Sequence, residues 1–249
     1  MIEDCLKQLD FAREIIILDQ NSSDNTLKIA QKYTDKIYKT TSDDFAKNRR
    51  TLASKAKNDW LLYIDADERL SEKLVSEIKK TVAASSFSAY FMPRKNFILG
   101  KWAKHGGWWP DYVPRLFRKE KLIGWYGPVH ESPKIEGEFG YFNEPLNHLT
   151  ARDVSKMMEK SAKWAKVEAR LAYQAKHPKV TILKTIKAVL SELFTRYVSS
   201  KGFLDGQLGL IEAMYQSYHR AMILVYLWEM QTDAAGKFRK IQEDKVNAK

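Results

Sequence analysis

The sequence predicts an α/β domain with a mainly parallel sheet, followed by a helical C-terminal region. Strand-like and helix-like patterns alternate over the first half of the chain, which is typical of a parallel sheet covered by helices. From residue 153 onward, apolar residues recur with a helical period. We therefore expect an α/β domain over residues 1–150 and a helical region over residues 151–249.

The elements of the first domain follow from short periodic runs bounded by turn-forming residues. The predicted strands are 14–19, 36–39, 60–64 and 89–92, and the predicted helices are 2–9, 25–33, 45–56 and 71–82. Residues 93–148 are rich in Gly, Pro, Trp and Tyr and predict loops and short strands. Ligands of such sheets bind beyond the C-terminal ends of the strands, where Asp19, Asp65 and Asp67 fall.

The C-terminal region predicts three helices. The first runs from residue 153 to the break at Pro178, and the third covers residues 208–230 after a glycine-containing break. The second, over residues 182–197, carries an apolar stripe, with Lys184 and Lys187 lying mostly off it. It is therefore predicted to be amphipathic.

The charge of the chain is concentrated in this helical region. Residues 1–150 contain 24 Lys and Arg against 21 Asp and Glu, whereas residues 151–249 contain 18 against 10. A cationic third of this kind favours an anionic partner: a phospholipid surface, a nucleic acid or a phosphorylated substrate. The aromatic residues cluster outside the basic third and no nucleic-acid motif is present, so we do not expect a nucleic-acid partner.

Other classes are excluded by composition. Cys5 is the only cysteine, which excludes an internal disulfide and a thiolate metal cage and fits a reducing compartment. The longest apolar candidate for a membrane span, residues 221–228, is far shorter than the roughly 18–20 residues required. We expect a soluble or peripheral protein without a signal peptide.

The strongest chemical signal is the Asp-Ala-Asp-Glu sequence after the apolar run 60–64. In an extended segment residues two apart face the same way, so Asp65 and Asp67 can approach one site. Two carboxylates at a sheet edge can bind a hard divalent cation, and the cation can bind a diphosphate. The alternative, a helix N-cap, is less favoured because Ser71 already supplies the cap of the next helix.

Two further polar groups flank this strand. Asp19 ends a strand beside a turn and can accept hydrogen bonds from a base or ribose, although a turn with Asp24 or Asn25 as helix cap explains most of the segment. Arg49 can bind a phosphate or stack on a base, or it can lie on a solvated helix face. Both interpretations stay open for each residue.

Two candidates lie in the region of weak periodicity. His130 and Glu131 follow a Gly-Pro-Val loop, and a glutamate in a partly desolvated loop can take a proton from a hydroxyl group, although these residues taken alone favour a surface glutamate. The His-Glu pair lacks the second histidine of a zinc-protease helix. Trp108 and Trp109 can stack against sugars or serve as core residues.

Together these pieces resemble the family 2 glycosyltransferases, which have a GT-A fold. The resemblance is to the small bacterial enzymes that add sugars to the lipopolysaccharide core. The matching stretches are residues 15–26, Arg49, residues 59–70, residues 115–118 and residues 127–131. Their order and spacing cover nearly all of residues 2–150, and the helical tail is similar to that subgroup more loosely.

The resemblance implies a role for each candidate. Asp19, Arg49 and Asp65 would bind the nucleotide of a nucleotide-sugar donor such as a UDP-sugar, with Asp65 at the ribose or the metal. Asp67 would bind Mg²⁺ or Mn²⁺ on the diphosphate. Glu131 would deprotonate the acceptor hydroxyl in an inverting reaction. Arg115 would contact the phosphates, and His130 would orient the catalytic base, Glu131.

The family also implies the setting of the reaction. The Gln-x-x-Arg-Trp signature of processive synthases is absent, which favours transfer of a single hexose. The acceptor would be a lipid-linked glycan, and the basic tail would lie against the anionic inner face of the cytoplasmic membrane, making the protein cytoplasmic and peripheral.

One departure from the family pattern motivates an alternative. Such domains open with a strand before the helix predicted at residues 2–9, whereas this chain begins inside that helix, so the first strand is expected to be missing. On the alternative interpretation the chain is a non-catalytic relative that binds anionic membrane or a partner protein. The intact carboxylates Asp65, Asp67 and Glu131 favour the enzyme.

Overall fold

The computed structural model describes residues 1–127 and 131–233, which form two compact units. The first comprises Met1–Trp102 and Trp108–Thr150, and the second comprises Ala103–Gly107 and the residues from Ala151 onward. The helices are α1 (Ile2–Lys7), α2 (Thr26–Ala30), α3 (Phe45–Lys55), α4 (Glu72–Ala84), α5 (Val154–Gln174), α6 (Ile182–Phe194) and α7 (Gln207–Thr232). The strands are β1 (Ile17–Asp19), β2 (Ile37–Lys39), β3 (Trp60–Leu62), β4 (Glu68–Arg69), β5 (Ala89–Ile98), β6 (Lys101–Trp102), β7 (Asp111–Arg118), β8 (Leu122–Tyr126), β9 (Ser132–Ile135), β10 (Phe139–Tyr141) and β11 (Leu146–Ala151).

The main sheet of the first unit has seven strands, in the order β3-β7-β5-β11-β4, with β6 and β10 also paired to β5. Strands β1 and β2 form a separate parallel pair, and β8 and β9 form an antiparallel one. Helices alternate with strands up to β5, as predicted, except that β4 follows β3 directly, and the α/β domain with a helical C-terminal region is confirmed.

The expectation of a mainly parallel sheet is wrong in detail, because the sheet is mixed. Among the described strands β7 pairs antiparallel with both β3 and β5, and β4 pairs antiparallel with β11, whereas β10 runs parallel to β5. The physical reason lies in residues 89–118. A ten-residue strand and an eight-residue strand there form a long antiparallel pair, and all of it after residue 92 lies in the region predicted as loops and short strands.

Two apolar clusters support this sheet. Leu61, Phe117 and Trp125 belong to one, with Tyr63 packed edge-on against both aromatic rings. Leu74 and Ile78 bring the apolar face of α4 into the other. Trp60 and Leu62 also pack against this second cluster, so alternate residues of β3 face different clusters, which fixes the register of the strand that leads to the acidic segment.

The second unit is a helical bundle in which α7 contacts both α5 and α6. Its core includes Ala165, Ala169 and Leu227. Residues 103–107 join this unit because Asp205 Oδ2 accepts hydrogen bonds from the backbone N–H groups of Lys104 and His105, both at 2.8 Å. None of the described helices combines the length and the apolar character needed to cross a membrane.

Candidate active site

The acidic segment after β3 turns back on itself. Asp65 lies three residues beyond the end of β3, and the N–H of Glu68 donates to the carbonyl of Asp65 at 2.9 Å. Residues 66 and 67 therefore form a turn, and the expected extended conformation is wrong. Because of this turn, a spacing of two residues does not by itself bring the carboxylates of Asp65 and Asp67 to one side. Each carboxylate has its own set of partners.

Arg115 lies between two carboxylates. Its Nη2 donates to Asp65 Oδ2 at 2.7 Å and to Glu68 Oε1 at 2.5 Å. Strand β7 places it there, since the backbone carbonyl of Arg115 also accepts a hydrogen bond from the N–H of Tyr63, directly after β3. Arg115 is 4% exposed and Glu68 is fully buried. The residue predicted as a phosphate contact is thus an internal partner of the acidic segment.

The charges of this cluster set the protonation of its members. Desolvation raises the pKa of the Asp65 carboxyl, but the positive charges of Arg115 and Arg49 outweigh it and lower that pKa to about 2. Desolvation also raises the pKa of Glu68, with the Arg115 charge opposing it. Asp65 therefore stays ionised at every pH near neutrality.

Arg49 joins the acidic segment to the predicted base. Its Nε donates to Glu131 Oε1 at 2.8 Å, and its Nη2 lies 3.7 Å from Asp65 Oδ1. The guanidinium lies over the rings of Trp125 and Tyr63, with centroid distances of 5.0 and 5.4 Å. Cation–π contacts on two rings fix its orientation. The structure therefore brings together Arg49, Asp65 and Glu131 from separate stretches of the chain.

A second chain of polar contacts begins at Asp67. Its Oδ2 lies 3.4 Å from His148 Nε2, and His148 Nδ1 lies 2.7 Å from Asn96 Oδ1. Asp111 Oδ2 then accepts from Asn96 Nδ2 and from Arg94 Nε, both at 2.9 Å. These partners were missed in the sequence analysis, because they lie in residues predicted as loops and short strands.

The two networks of polar contacts meet at Glu68. Arg94 Nη1 lies 3.8 Å from Glu68 Oε1, so Glu68 is linked to both networks. A signal for them exists in β5, where the polar residues Arg94 and Asn96 are two apart and therefore face the same side of a long strand. Asn96 is fully buried, and a buried amide requires partners of this kind.

Asp19 and Trp109 have contacts of their own. Asp19 is buried at the end of β1, where its Oδ2 accepts from the N–H of Ser22 at 3.1 Å, as expected for a carboxylate beside a turn. Trp109 packs edge-on against Trp102 at 5.6 Å between centroids, and Trp108 is partly buried. His130 lies outside the described residues.

The carboxylates have the chemistry that a divalent cation requires. The described part of the chain contains no group of three His, Cys, Asp or Glu placed to hold a metal ion. Mg²⁺, however, is usually bound by one or two protein carboxylates together with water and substrate phosphates. The side chains of Asp65 and Asp67 are 45% and 29% exposed, so both present hard oxygen donors to solvent. The residues fit such an ion.

The lowered pKa of Asp65 predicts a pH-dependent effect of its removal. A carboxyl group with a folded-state pKa below its unfolded value stabilises the fold above the unfolded pKa, and this contribution is lost as the pH falls toward the folded pKa of about 2. We expect Asp65→Asn to lower the thermal midpoint at pH 7 by more than at pH 3. Asp59→Asn, at the exposed start of β3, is the control. An equal loss at both pH values would contradict the charge interaction.

The chain is similar in sequence to known glycosyltransferases. The family model of Glycosyl transferase family 2 matches residues 1–148. An uncharacterized glycosyltransferase of Rickettsia felis is 23% identical over 236 residues, which cover 87% of this chain and 80% of the relative. The lipopolysaccharide core biosynthesis glycosyltransferase LpsC of Rhizobium meliloti is 28% identical over 150 residues, which cover 55% of this chain and 53% of LpsC.

The solved structure of S. aureus TarS 1-349 in complex with UDP-GlcNAc aligns with 94% of this chain and 87% of TarS, at a TM-score of 0.43 and 12% identity. The family is shown by the sequence model, which matches more than half of the chain. It confirms the family and the GT-A fold that the motifs indicated. The chain belongs to glycosyl transferase family 2.

Proposed function

We propose that this glycosyltransferase is metal-dependent and inverting, and that it moves a single hexose from a UDP-sugar to a lipid-linked glycan such as the lipopolysaccharide core. The observation that carries the proposal is the bridge from Asp65 through Arg49 to Glu131. It joins residues predicted for donor binding to the residue predicted as the base.

On the donor side, Asp19, Arg49 and Asp65 bind the nucleotide. Asp67 holds Mg²⁺ or Mn²⁺, which when bound offsets the charge that develops on the departing nucleoside diphosphate. Arg115 supports this side indirectly, because its contacts to Asp65 and Glu68 fix where the acidic segment lies.

On the acceptor side, Glu131 takes the proton of the attacking hydroxyl. The hydroxyl oxygen forms a bond to the anomeric carbon, and the bond from that carbon to the phosphate oxygen breaks with its electron pair going to the nucleoside diphosphate. Attack from the opposite face inverts the configuration. The side chain of Glu131 is 16% exposed, so one acceptor oxygen can reach it while bulk water is largely kept away. We propose that the acceptor is contacted, or the catalytic base Glu131 oriented, by three further residues: Trp108, Trp109 and His130.

The acceptor class is supported by the LpsC relative, whose name refers to lipopolysaccharide core biosynthesis. A lipid-linked acceptor requires the enzyme to work at a membrane surface. We place the protein at the inner face of the cytoplasmic membrane, as a peripheral protein whose basic residues 151–249 meet anionic lipid.

Calorimetric titration of UDP into the purified chain, with and without Mn²⁺, tests the donor site. We expect binding that depends on Mn²⁺ and is weakened about 10- to 100-fold by Asp67→Asn, as for the loss of a metal-site residue. Asp59→Asn is the matched control, because Asp59 is an exposed aspartate at the other end of β3.

The same titration with GDP and ADP tests which nucleobase the donor site prefers. Tighter binding of either nucleotide would contradict the UDP assignment while leaving the carboxylate site in place. Mn²⁺-dependent binding that survives Asp67→Asn unchanged would contradict the assignment of Asp67. A folded chain that binds no nucleoside diphosphate would contradict the proposed activity.

A further inference from the structure

Helix α6 exposes an apolar surface that nothing in the described chain covers. The helix contains no buried residue. Five of its apolar side chains are at least half exposed, and together they are named the α6 apolar face: Ile182 (79%), Leu183 (80%), Ile186 (51%), Leu190 (59%) and Phe194 (61%).

These five residues lie on one side of the helix. At 100° per residue they fall within a sector of about 120°. The apolar residues Val189 and Leu193 are only partly exposed, with Leu193 inside that sector and Val189 beside it, on a helix that contacts α7. A helix of a soluble domain normally buries its apolar stripe, and a contiguous exposed one marks an interaction site.

The charges around the face indicate which partner it contacts. Both lysines of α6 are exposed: Lys187 lies at the margin of the apolar face, and Lys184 lies beyond that margin. Glu192 is the one acidic residue of α6, and Arg196 Nε donates to it at 2.8 Å. The surroundings of the apolar face are therefore cationic, which complements anionic headgroups. A second copy of this chain fits less well, because pairing two such faces would bring their lysines together.

We infer that α6 is an interfacial membrane helix whose apolar face inserts among the upper acyl chains of an anionic bilayer, with Lys184 and Lys187 at the headgroups. This arrangement needs no membrane-spanning segment. It deepens the membrane part of the proposed function by naming the element that binds. It also differs from a purely electrostatic association, because insertion of apolar side chains persists when salt screens the lysines.

Flotation of the full chain with vesicles tests this inference. We expect binding to vesicles of phosphatidylcholine and phosphatidylglycerol, with a fraction that remains bound at high salt. The double variant Leu183→Ser/Leu190→Ser is expected to lower the partition coefficient at least tenfold, since each leucine loses several buried carbon groups worth about 0.8 kcal/mol each. Lys184→Gln/Lys187→Gln is expected to lower it about tenfold or more at low salt and little at high salt.

The matched control is Ile123→Ser/Val154→Ser, which removes two apolar side chains that are 57% and 50% exposed outside α6. Circular dichroism checks that all variants fold, and exposed positions make unfolding by these changes unexpected. Wild-type chain that fails to float, or floats equally well after Leu183→Ser/Leu190→Ser, would overturn the inference. A dimer that the same variant converts to a monomer would overturn it in favour of a second copy.

The flotation and the UDP titration fail independently. If the chain binds UDP and Mn²⁺ but not vesicles, the proposed donor site is supported and the proposed membrane helix is rejected. The α6 variants leave the residues of the candidate active site unchanged, so their UDP titration should match that of the wild type.

Discussion

Arg115→Met is expected to lower the free energy of unfolding by about 3–5 kcal/mol, the cost of breaking a buried ion pair by removing one partner. The reason is that Glu68 is fully buried and accepts its shortest hydrogen bond from Arg115 Nη2. Methionine fills much of the same volume but supplies neither the charge nor the donors. The variant leaves a carboxylate without its main cation in the interior, where ionisation is unfavourable.

The double variant Arg115→Met/Glu68→Gln separates charge from packing. A neutral amide at residue 68 removes the uncompensated charge, so we expect the double variant to be more stable than Arg115→Met alone. Chemical denaturation of both variants and of Glu68→Gln measures the coupling between the two positions. Additive effects of the two substitutions would show that the side chains act independently, contrary to the contacts seen here.

Glu131→Gln is expected to lower the turnover number about 10²- to 10⁴-fold, the usual contribution of a general base. Glutamine retains an oxygen that can accept from Arg49 Nε, so the bridge between Arg49 and residue 131 is preserved. UDP binding in the presence of Mn²⁺ should therefore be unchanged. The loss would then be confined to the step in which the acceptor hydroxyl gives up its proton.

Release of UDP from a UDP-sugar, in the presence of a lipid-linked glycan acceptor, measures this effect. Glu120→Gln is the control, because Glu120 is an exposed glutamate in the short 3₁₀ turn after β7. A Glu131→Gln enzyme with wild-type turnover would remove Glu131 from the reaction. A parallel loss of UDP binding would instead assign it to donor binding.

Much of the first unit follows from local sequence. The helices α3 and α4 begin where Asp44 and Ser71 cap them, each accepting a hydrogen bond from the N–H three residues on. Strand β3 is a short apolar run, and its end places the acidic segment at the sheet edge. These features depend on neighbouring residues only, which is why patterns of period and capping predict them.

The antiparallel part of the sheet depends on distant partners. Strand β5 extends to Ile98 because β7 pairs with it over residues 89–94 and β6 pairs with Phe97 and Ile98, and nothing within residues 93–98 alone indicates a strand. The spacing of Arg94 and Asn96 indicates a common face only if the segment is a strand, and a region predicted as loops does not suggest one. The network of Asp67, His148 and Asn96 was missed for the same reason.

Arg115 shows how far the role of a single residue can be predicted from the sequence. An arginine in a stretch that resembles a transferase motif predicts a phosphate contact, because arginine binds phosphates well. Its depth below the surface and its two carboxylate partners come from the pairing of β7 with β3. The sequence indicates the charge of such a residue, whereas its partner is determined by the fold.

Asp67 and its neighbours are proposed to form the donor site. X-ray diffraction from crystals grown with UDP and MnCl₂, recorded at the manganese absorption edge, tests it most directly. We predict one strong anomalous peak beside the Asp67 carboxylate, with the diphosphate next to it and the uridine beside Asp19 and Asp65. A manganese peak and a UDP molecule bound away from Asp67 would contradict the account.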